Sequence, residues 1–391
     1  MPTDVFVVGA GPAGSVAALI LARAGVTVRL VDRARFPREK LCGDTVNPGT
    51  LTLLDTLGLG APVRAASVPV RGMTVTGPGD ARVVADYPAG ITGVALTRRE
   101  LDQILVAAAV SAGAAFEDGV RVCGTGMSPD GAVDRIVVGA GATSHELRAQ
   151  LVIAADGRAS RLASSLGLSS FAQRPRRWAF GAYYTGVDGL TDRGEMHVRH
   201  DGYIGVAPLP GGIVNVCCVR ALHRVRSGTT SGTSRTEHPE AVLEAAILAD
   251  TRLRGRFARA TRVSPVTVLG PLAVDARASG CPGLLLAGDA AGFVDPMTGD
   301  GMRFAVRGGM LAAEYALREL EGGQPQHGHL RGARHREFSR KWLINKGLRA
   351  LAASPRGVAL AARVSAHWEL PVRSLITLAG DVALARGGHA A

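Results

Sequence analysis

The chain has 391 residues, enough for two or three domains, and 47% hydrophobic with 20% charged residues is a globular balance that excludes disorder. The net charge is +12, but nearly every basic residue is arginine, with lysine only at Lys40, Lys341 and Lys346. No basic–aromatic interleaving or nucleic-acid motif accompanies them, which argues against a nucleic-acid partner. The five cysteines (Cys42, Cys123, Cys217, Cys218, Cys281) form no C-x-x-C pair, so neither a disulfide framework nor a metal site is expected.

In chain order, Val5–Val8 is a short apolar run suited to a buried strand, and Gly9-Ala10-Gly11-Pro12-Ala13-Gly14 follows at once. A helical pattern then runs to Arg23, and Val26–Val31 is a second strand closed by Asp32. This is a βαβ unit carrying G-x-G-x-x-G. Gly9 serves the tight turn, Gly11 the approach of a pyrophosphate to the backbone, and Gly14 the close packing of helix on strand. The helix N-terminus offers unpaired N–H groups to phosphate, and Asp32 can accept hydrogen bonds from a ribose. The stretch predicts a dinucleotide site without saying which dinucleotide.

Residues 35–44 read as a polar loop with one cysteine, and Leu51–Leu57 as a short helix. Residues 70–87 alternate as two strands around Gly77-Pro78-Gly79-Asp80. Thr97–Ala112 reads as a helix with Thr97 as N-cap and Glu100 completing a capping box. Strands are expected at 120–122, 135–138 and 151–155, the last ending in Asp156-Gly157. From Arg177 to Arg220 the pattern becomes that of an antiparallel sheet, followed by a Ser/Thr/Gly-rich loop at 227–234 and one helix over 239–257. Leu284–Ala287 is again a buried strand, leading into Gly288-Asp289-Ala290-Ala291-Gly292, and residues 301–320 are helical.

An α/β pattern is thus interrupted by a β-rich block and then resumes. The predicted fold is a Rossmann-like α/β dinucleotide domain with an inserted antiparallel-sheet domain and a C-terminal helical segment. The expected boundaries are 1–72, 92–165 and 262–320 for the discontinuous cofactor domain, 73–91 and 166–261 for the substrate domain, and 321–391 for the tail.

The fingerprint, Arg98 in Leu96-Thr97-Arg98-Arg99-Glu100-Leu101-Asp102, the Ala155-Asp156-Gly157-Arg158 stretch and Gly288-Asp289 together resemble the flavoprotein monooxygenase and reductase superfamily that includes aromatic hydroxylases. Phe36-Pro37-Arg38-Glu39-Lys40-Leu41-Cys42-Gly43 and the run from Gly288 to Met302 are similar to the geranylgeranyl reductase family within it. The resemblance covers about residues 4–320. It implies FAD, held by Gly9, Gly11, Pro12, Ala13, Gly14, Asp32, Arg33, Arg38, Cys42, Gly43, Arg98, Val122, Asp156, Gly157, Gly288, Asp289, Pro296, Gly299, Gly301 and Met302. The helix near Gly301 points its N–H groups at the flavin's pyrimidine edge in this reading, where fixed dipoles stabilise the negative charge of reduced flavin. Asp156 has a second reading, as a cap for the helix that follows.

Cys42 and Tyr203 are the candidate catalytic residues. The resemblance puts Cys42 beside flavin and substrate, while a lone cysteine also reads as a small buried thiol. His197 and Asp44 are further acid–base candidates with structural alternatives. The chain departs from the family's P-C-G-G with Leu41-Cys42-Gly43-Asp44. It also replaces the large aromatics of the family's Tyr-x-Trp-x-Phe-Pro run with Gly205 and Ala207, which leaves room for a bulkier ring. Flavin halogenase is disfavoured, since no paired Trp motif exists and Lys40 is the only early lysine.

The expected activity is hydride transfer between FAD and a hydrophobic isoprenoid, quinone-like or polyketide-like substrate. Monooxygenation with NAD(P)H and oxygen is the alternative, and a flavin-binding protein without turnover a second. Without a second G-x-G-x-x-G unit, electrons are expected from NAD(P)H binding transiently or from a partner reductase. Residues 331–391 carry eleven Lys/Arg and three Asp/Glu. Their apolar and basic residues at helical spacing read as helices over the substrate domain, or as a surface leaning on anionic lipid. No run is long enough to span a membrane, and the first strand begins too early for a signal peptide, so the expected setting is the cytoplasm, with membrane association as the tail's second reading.

Overall fold

A computed structural model describes residues 3–139, 141–172, 176–221, 238–293, 297, 299–352, 363, 374, 377–378 and 380–382. The first strand, Val5–Val8, lies inside a six-stranded sheet, between Val28–Val31 on one side and Leu151–Ala154 on the other. Leu284–Leu286 extends the sheet beyond Leu151–Ala154, and Ala115–Glu117 beyond Val28–Val31, all in parallel register. A sheet covered on both faces needs apolar side chains on both, which is why these strands read as continuous runs rather than alternations. Val5 and Val7 face a helical layer that includes Val16, Leu101, Leu105 and Leu311. Phe6 and Val8 face Val133, Ile136 and Val138 of a three-stranded antiparallel sheet. Each such fully buried side chain contributes about 1.5–3 kcal/mol of transfer free energy.

The helices Pro12–Arg23 and Gly301–Gly322 pack backbone to backbone, since a Cβ at Gly309 would stand 2.3 Å from the Ala13 carbonyl oxygen. Helix Arg98–Ser111 starts at Thr97, whose hydroxyl accepts the Glu100 N–H at 3.2 Å. Because the chain leaves Val5–Val8 with neighbouring strands on both sides, the crevice at its carboxyl end is the place where open α/β sheets bind ligands.

The β-rich block forms a second, larger sheet. Its order runs Thr261–Arg262, Arg177–Thr185, Val214–Ala221, Gly202–Pro208, Arg193–Arg199, Gly72–Thr76 and Arg82–Asp86, with Thr267–Leu269 also paired to Arg177–Thr185. The 72–86 hairpin joins it in parallel with Arg193–Arg199, a pairing the alternation could not announce. Phe180, Ile204, Val216 and Cys218 face away from the first sheet onto Val242, Leu243 and Ile247 of helix Pro239–Ala249. Ala179, Tyr203, Val219, Met196 and Val198 point to the other face.

Two expected elements have bounds other than the pattern suggested. The helix expected over 239–257 stops at Ala249, because Asp250 turns to extended backbone (ψ 115°) and its carboxylate caps the Arg252 and Leu253 N–H groups. The strand expected over 120–122 runs instead over Val122–Met127. Most of the tail's described residues form one long helix, His327–Ala352, whose Phe338 and Trp342 pack on Phe304 of the Gly301–Gly322 helix, with Leu330 in the same core. Most of the later tail lies outside the described residues.

Candidate active site

The glycine loop separates into packing and open positions. A Cβ at Gly9 would stand 2.4 Å from the Ala155 carbonyl oxygen, and the backbone there has φ +103°, so only glycine makes the turn. A Cβ at Gly14 would stand 1.9 Å from the Gly9 oxygen, where the helix meets the strand. Gly11 is different: its nearest neighbours are guanidinium nitrogens, Arg38 Nη2 at 3.5 Å and Arg98 Nη2 at 3.8 Å from the Cβ position. The space over Gly11 is therefore a cradle between two cations at a helix N-terminus, the chemistry that holds a pyrophosphate.

One residue organises those cations. Asp102, with no exposed surface, accepts Arg98 Nε at 3.0 Å and Arg98 Nη2 at 2.9 Å, and Arg38 Nη2 lies 3.0 Å from its carboxylate. Arg98 and Asp102 are four residues apart on one helix, so their side chains meet on one face. Asp102 was visible in the sequence only as part of the Arg98 motif, and the i,i+4 spacing was the signal that could have singled it out. Asp32 fixes the loop from below: its oxygens accept Ala10 N–H at 2.8 Å and Ala34 N–H at 2.9 Å.

Beyond Gly11 the crevice continues to Lys40, Gly157, Gly288 and Asp289, all of which line one cavity of about 410 Å³. Burial, then Arg98, lowers the Lys40 pKa to about 8, with Asp289 opposing. Burial raises Asp289, with Lys40, Arg98, Arg158 and Arg334 pulling the other way. Arg334 was not expected here. It reaches in from the tail helix, is 2% exposed, and donates from Nη2 to the Ala291 carbonyl at 3.0 Å. Gly299, Gly301 and Met302 line the cavity at the start of the Gly301–Gly322 helix. Asp300 beside them is held by Lys341 at 2.5 Å. Pro296 lies outside the described residues.

The cavity then opens onto the front of the large sheet. Its wall there is apolar, with Val75, Ala179, Met196, Val198, Tyr203 and Val219, roofed by Leu41 and Cys42. Leu41 sits on Gly181, where a Cβ would meet its side chain at 2.3 Å. Gly205 lines the same floor, with nothing nearer than 3.8 Å to its Cβ position, so the room expected from losing an aromatic there is present. Burial pushes the Cys42 thiol up, with the Arg98 guanidinium opposing.

Next to Cys42, Asp44 is 2% exposed and adopts φ +52°, one of two non-glycine residues with positive φ among those described. Its Oδ2 accepts the Tyr183 hydroxyl at 2.8 Å and Asn215 Nδ2 at 2.5 Å, and the same Asn215 nitrogen donates to the Cys42 carbonyl at 2.8 Å. The loop and the large sheet are thereby locked together. Neither Tyr183 nor Asn215 carried a local sequence signal.

The cavity thus brings together Gly11, Pro12, Ala13, Cys42, Gly43, Arg98, Gly157, Tyr203, Gly288, Asp289, Gly299, Gly301 and Met302. Arg38 and Asp32 act on its edge as described, and Gly9 and Gly14 behind it. Arg33 is exposed, and Val122 pairs with Val138 in the three-stranded sheet, off the cavity wall. Asp156 accepts the Arg161 N–H at 3.0 Å, the capping reading of that residue. His197 faces a buried polar network, its Nδ1 2.9 Å from Thr76 Oγ1 and its Nε2 3.0 Å from Glu195, which Arg256 also clamps. It braces the sheet and is not on the apolar wall. Among the described residues no cluster of His, Cys, Asp and Glu is arranged to hold a metal.

An anion cradle over a helix N-terminus, continued by a strand-end Asp and an apolar chamber, defines a dinucleotide-dependent redox protein. A family profile described as "FAD binding domain" matches residues 2–337, and the chain belongs to that family, as an FAD-dependent oxidoreductase. It is 31% identical to the menaquinone reductase of Mycolicibacterium smegmatis over 324 residues, 80% of this chain and 75% of that protein. It is 29% identical to digeranylgeranylglycerophospholipid reductase 2 of Methanothermobacter thermautotrophicus over 331 residues, 83% of this chain and 80% of that one. The crystal structure of a geranylgeranyl bacteriochlorophyll reductase-like protein from Thermoplasma acidophilum superposes with TM-score 0.78 at 24% identity, covering 93% of this chain and 91% of that one. Flavin-dependent halogenases share the fold as well.

Proposed function

We propose that the protein is a reductase that saturates a C=C bond of a hydrophobic isoprenoid or prenylated-quinone substrate. The observation that carries this reading is the apolar chamber continuous with the cofactor cradle, walled by Met196, Val198, Tyr203 and Val219 and roofed by Leu41 and Cys42. The relatives named as menaquinone and digeranylgeranylglycerophospholipid reductases support it.

The cradle fits FAD. Arg38 and Arg98 flank the open face of Gly11 and would hold the pyrophosphate, Asp32 beneath the loop and Asp289 on the cavity wall would accept from ribose and ribityl hydroxyls, and Gly299, Gly301 and Met302 would offer backbone N–H groups to the ring. When bound, the cofactor supplies hydride. The chain's own part is to hold the substrate bond against it, exclude water with the apolar wall and place a proton. Cys42 and Tyr203 touch the chamber at the junction and are the residues assigned to positioning and proton transfer. In this reading electrons come from NAD(P)H or a partner reductase, and residues 73–91 and 166–261 form the substrate domain. Arg336, Arg340, Leu343 and Lys346, exposed on the tail helix, make the contact with anionic lipid through which such substrates are reached. No described helix is long and apolar enough to cross a membrane.

The test is anaerobic. The flavin-loaded protein is reduced with NADPH, NADH or dithionite, then mixed with prenylated menaquinone or geranylgeraniol, and the product is weighed by mass spectrometry. Gain of two hydrogens in the isoprenoid chain is the expected result. In a parallel aerobic run with NAD(P)H, substrate-triggered oxygen consumption with gain of an oxygen atom would establish the hydroxylase instead.

A further inference from the structure

The helix Gly301–Gly322 starts on the cavity wall, where Gly301 and Met302 line it. The residue before it is Asp300, of a type that ordinarily caps a helix by accepting its first N–H groups. Asn47, Thr97 and Ser160 do so for their own helices. Asp300 does not. Its backbone is already helical, with φ −75° and ψ −7°, and its side chain caps none of the helix's N–H groups. The carboxylate turns instead to Lys341 of the tail helix, whose Nζ donates to its Oδ1 at 2.5 Å.

Lys341 is held from its other side as well. Its Nζ lies 2.7 Å from Asp381 Oδ2, an oxygen that also accepts Arg303 Nε at 2.9 Å. Arg303 in turn donates to Glu337 at 2.7 Å, which Arg307 also reaches at 3.2 Å. Asp300, Arg303 and Lys341 are buried. Three cations and three carboxylates thus meet behind the helix start, drawn from two helices and Asp381. Such a network is tolerated under burial while it is balanced, and loss of one member leaves an uncompensated charge.

We propose that Lys341 is a positioning residue for the redox site: it draws the Asp300 carboxylate off the helix start and cancels its charge, so that the first N–H groups of the helix stay available to a bound flavin ring. A helix N-terminus carries the equivalent of about half a positive charge, which favours the negative charge of reduced flavin. A bare carboxylate at the N-cap would oppose that field and compete for the same N–H groups. This role rests on the placement of the flavin ring proposed above and is independent of the substrate.

The test is the two-electron reduction potential of the bound flavin, read in FAD-loaded protein by slow reduction beside a reference dye. In Lys341→Met the potential should fall, with reduced flavin held about tenfold less tightly relative to oxidised flavin, or about 30 mV. Asp300→Asn should raise it, because the opposing charge is gone. The double variant Lys341→Met/Asp300→Asn should return close to the parent, a rescue that a loss of packing would not give. Lys341→Gln removes the charge but can still hydrogen-bond Asp300, and it serves in place of Lys341→Met should that variant not fold. A potential that moves in Asp300→Asn but not in the Lys341 variants, or a double variant that stays low, overturns the role of Lys341 and leaves the flavin placement standing. A potential unmoved in every variant puts the helix start away from the ring, and then the placement and the role of Lys341 both fail.

Discussion

Gly11→Ala separates cofactor binding from folding. Gly11 is the N-cap of helix Pro12–Arg23 with φ −77° and ψ −178°, a conformation open to any residue. The new methyl would lie 3.5 Å from Arg38 Nη2 and 3.8 Å from Arg98 Nη2, ordinary contact distances. Replacing glycine by alanine at an N-cap costs up to about 1 kcal/mol. Reduced freedom of the unfolded chain returns about 0.4–1 kcal/mol. Net stability of the cofactor-free protein should therefore stay within about 1 kcal/mol of the parent. The methyl nevertheless fills the gap between the two guanidiniums, so a pyrophosphate must move away from both of them. We expect FAD affinity to fall at least about a hundredfold, or roughly 2.7 kcal/mol. Fluorescence titration of deflavinated protein with FAD measures the affinity, and urea unfolding of the same samples measures the fold. Gly9→Ala is the contrast, since its Cβ would stand 2.4 Å from a backbone oxygen at φ +103°, and it should not yield folded protein. Gly11→Ala protein that binds FAD with parental affinity would refute the assignment of the cradle.

Asp102→Ala leaves Arg38 and Arg98 without their shared counter-charge, and unfolding of the cofactor-free protein should show a loss of about 3–5 kcal/mol. FAD should restore part of it by bringing its own negative charge between them, so equal losses with and without cofactor would contradict the arrangement. Lys40 is protonated below about 8 and neutral above it, and the FAD dianion favours the charged form. Affinity should therefore fall as pH rises through that value, by about tenfold for each unit by which bound cofactor raises the pKa. The fall should vanish in Lys40→Met, as isothermal titration at several pH values can show. Gly205→Phe fills open space on the chamber floor. It should keep flavin and fold while turnover of long isoprenoid substrates drops at least about tenfold, read as product formed per flavin.

Local sequence determined the elements that depend on neighbours along the chain. The strand, glycine turn, helix and closing acid from Val5 to Asp32 were legible because each glycine answers a local steric demand. The Thr97 cap was legible for the same reason, and the Arg98–Asp102 spacing on that helix was there to be read, although only the structure singled out Asp102. The early end of the helix at Ala249 was not, because Asp250 competes for backbone N–H groups that the apolar period does not register. What tertiary structure alone decided is how distant segments meet. The 72–86 hairpin joins a sheet more than a hundred residues away by parallel pairing, and Arg334 enters from the tail to a loop 43 residues earlier. Asp44 is the clearest case. In the sequence it is one acid–base candidate among several, with a structural role equally open. Segments far apart in the chain bury that carboxyl, which pushes it up to about 7, while Asn215, Tyr183 and Arg98 pull it back.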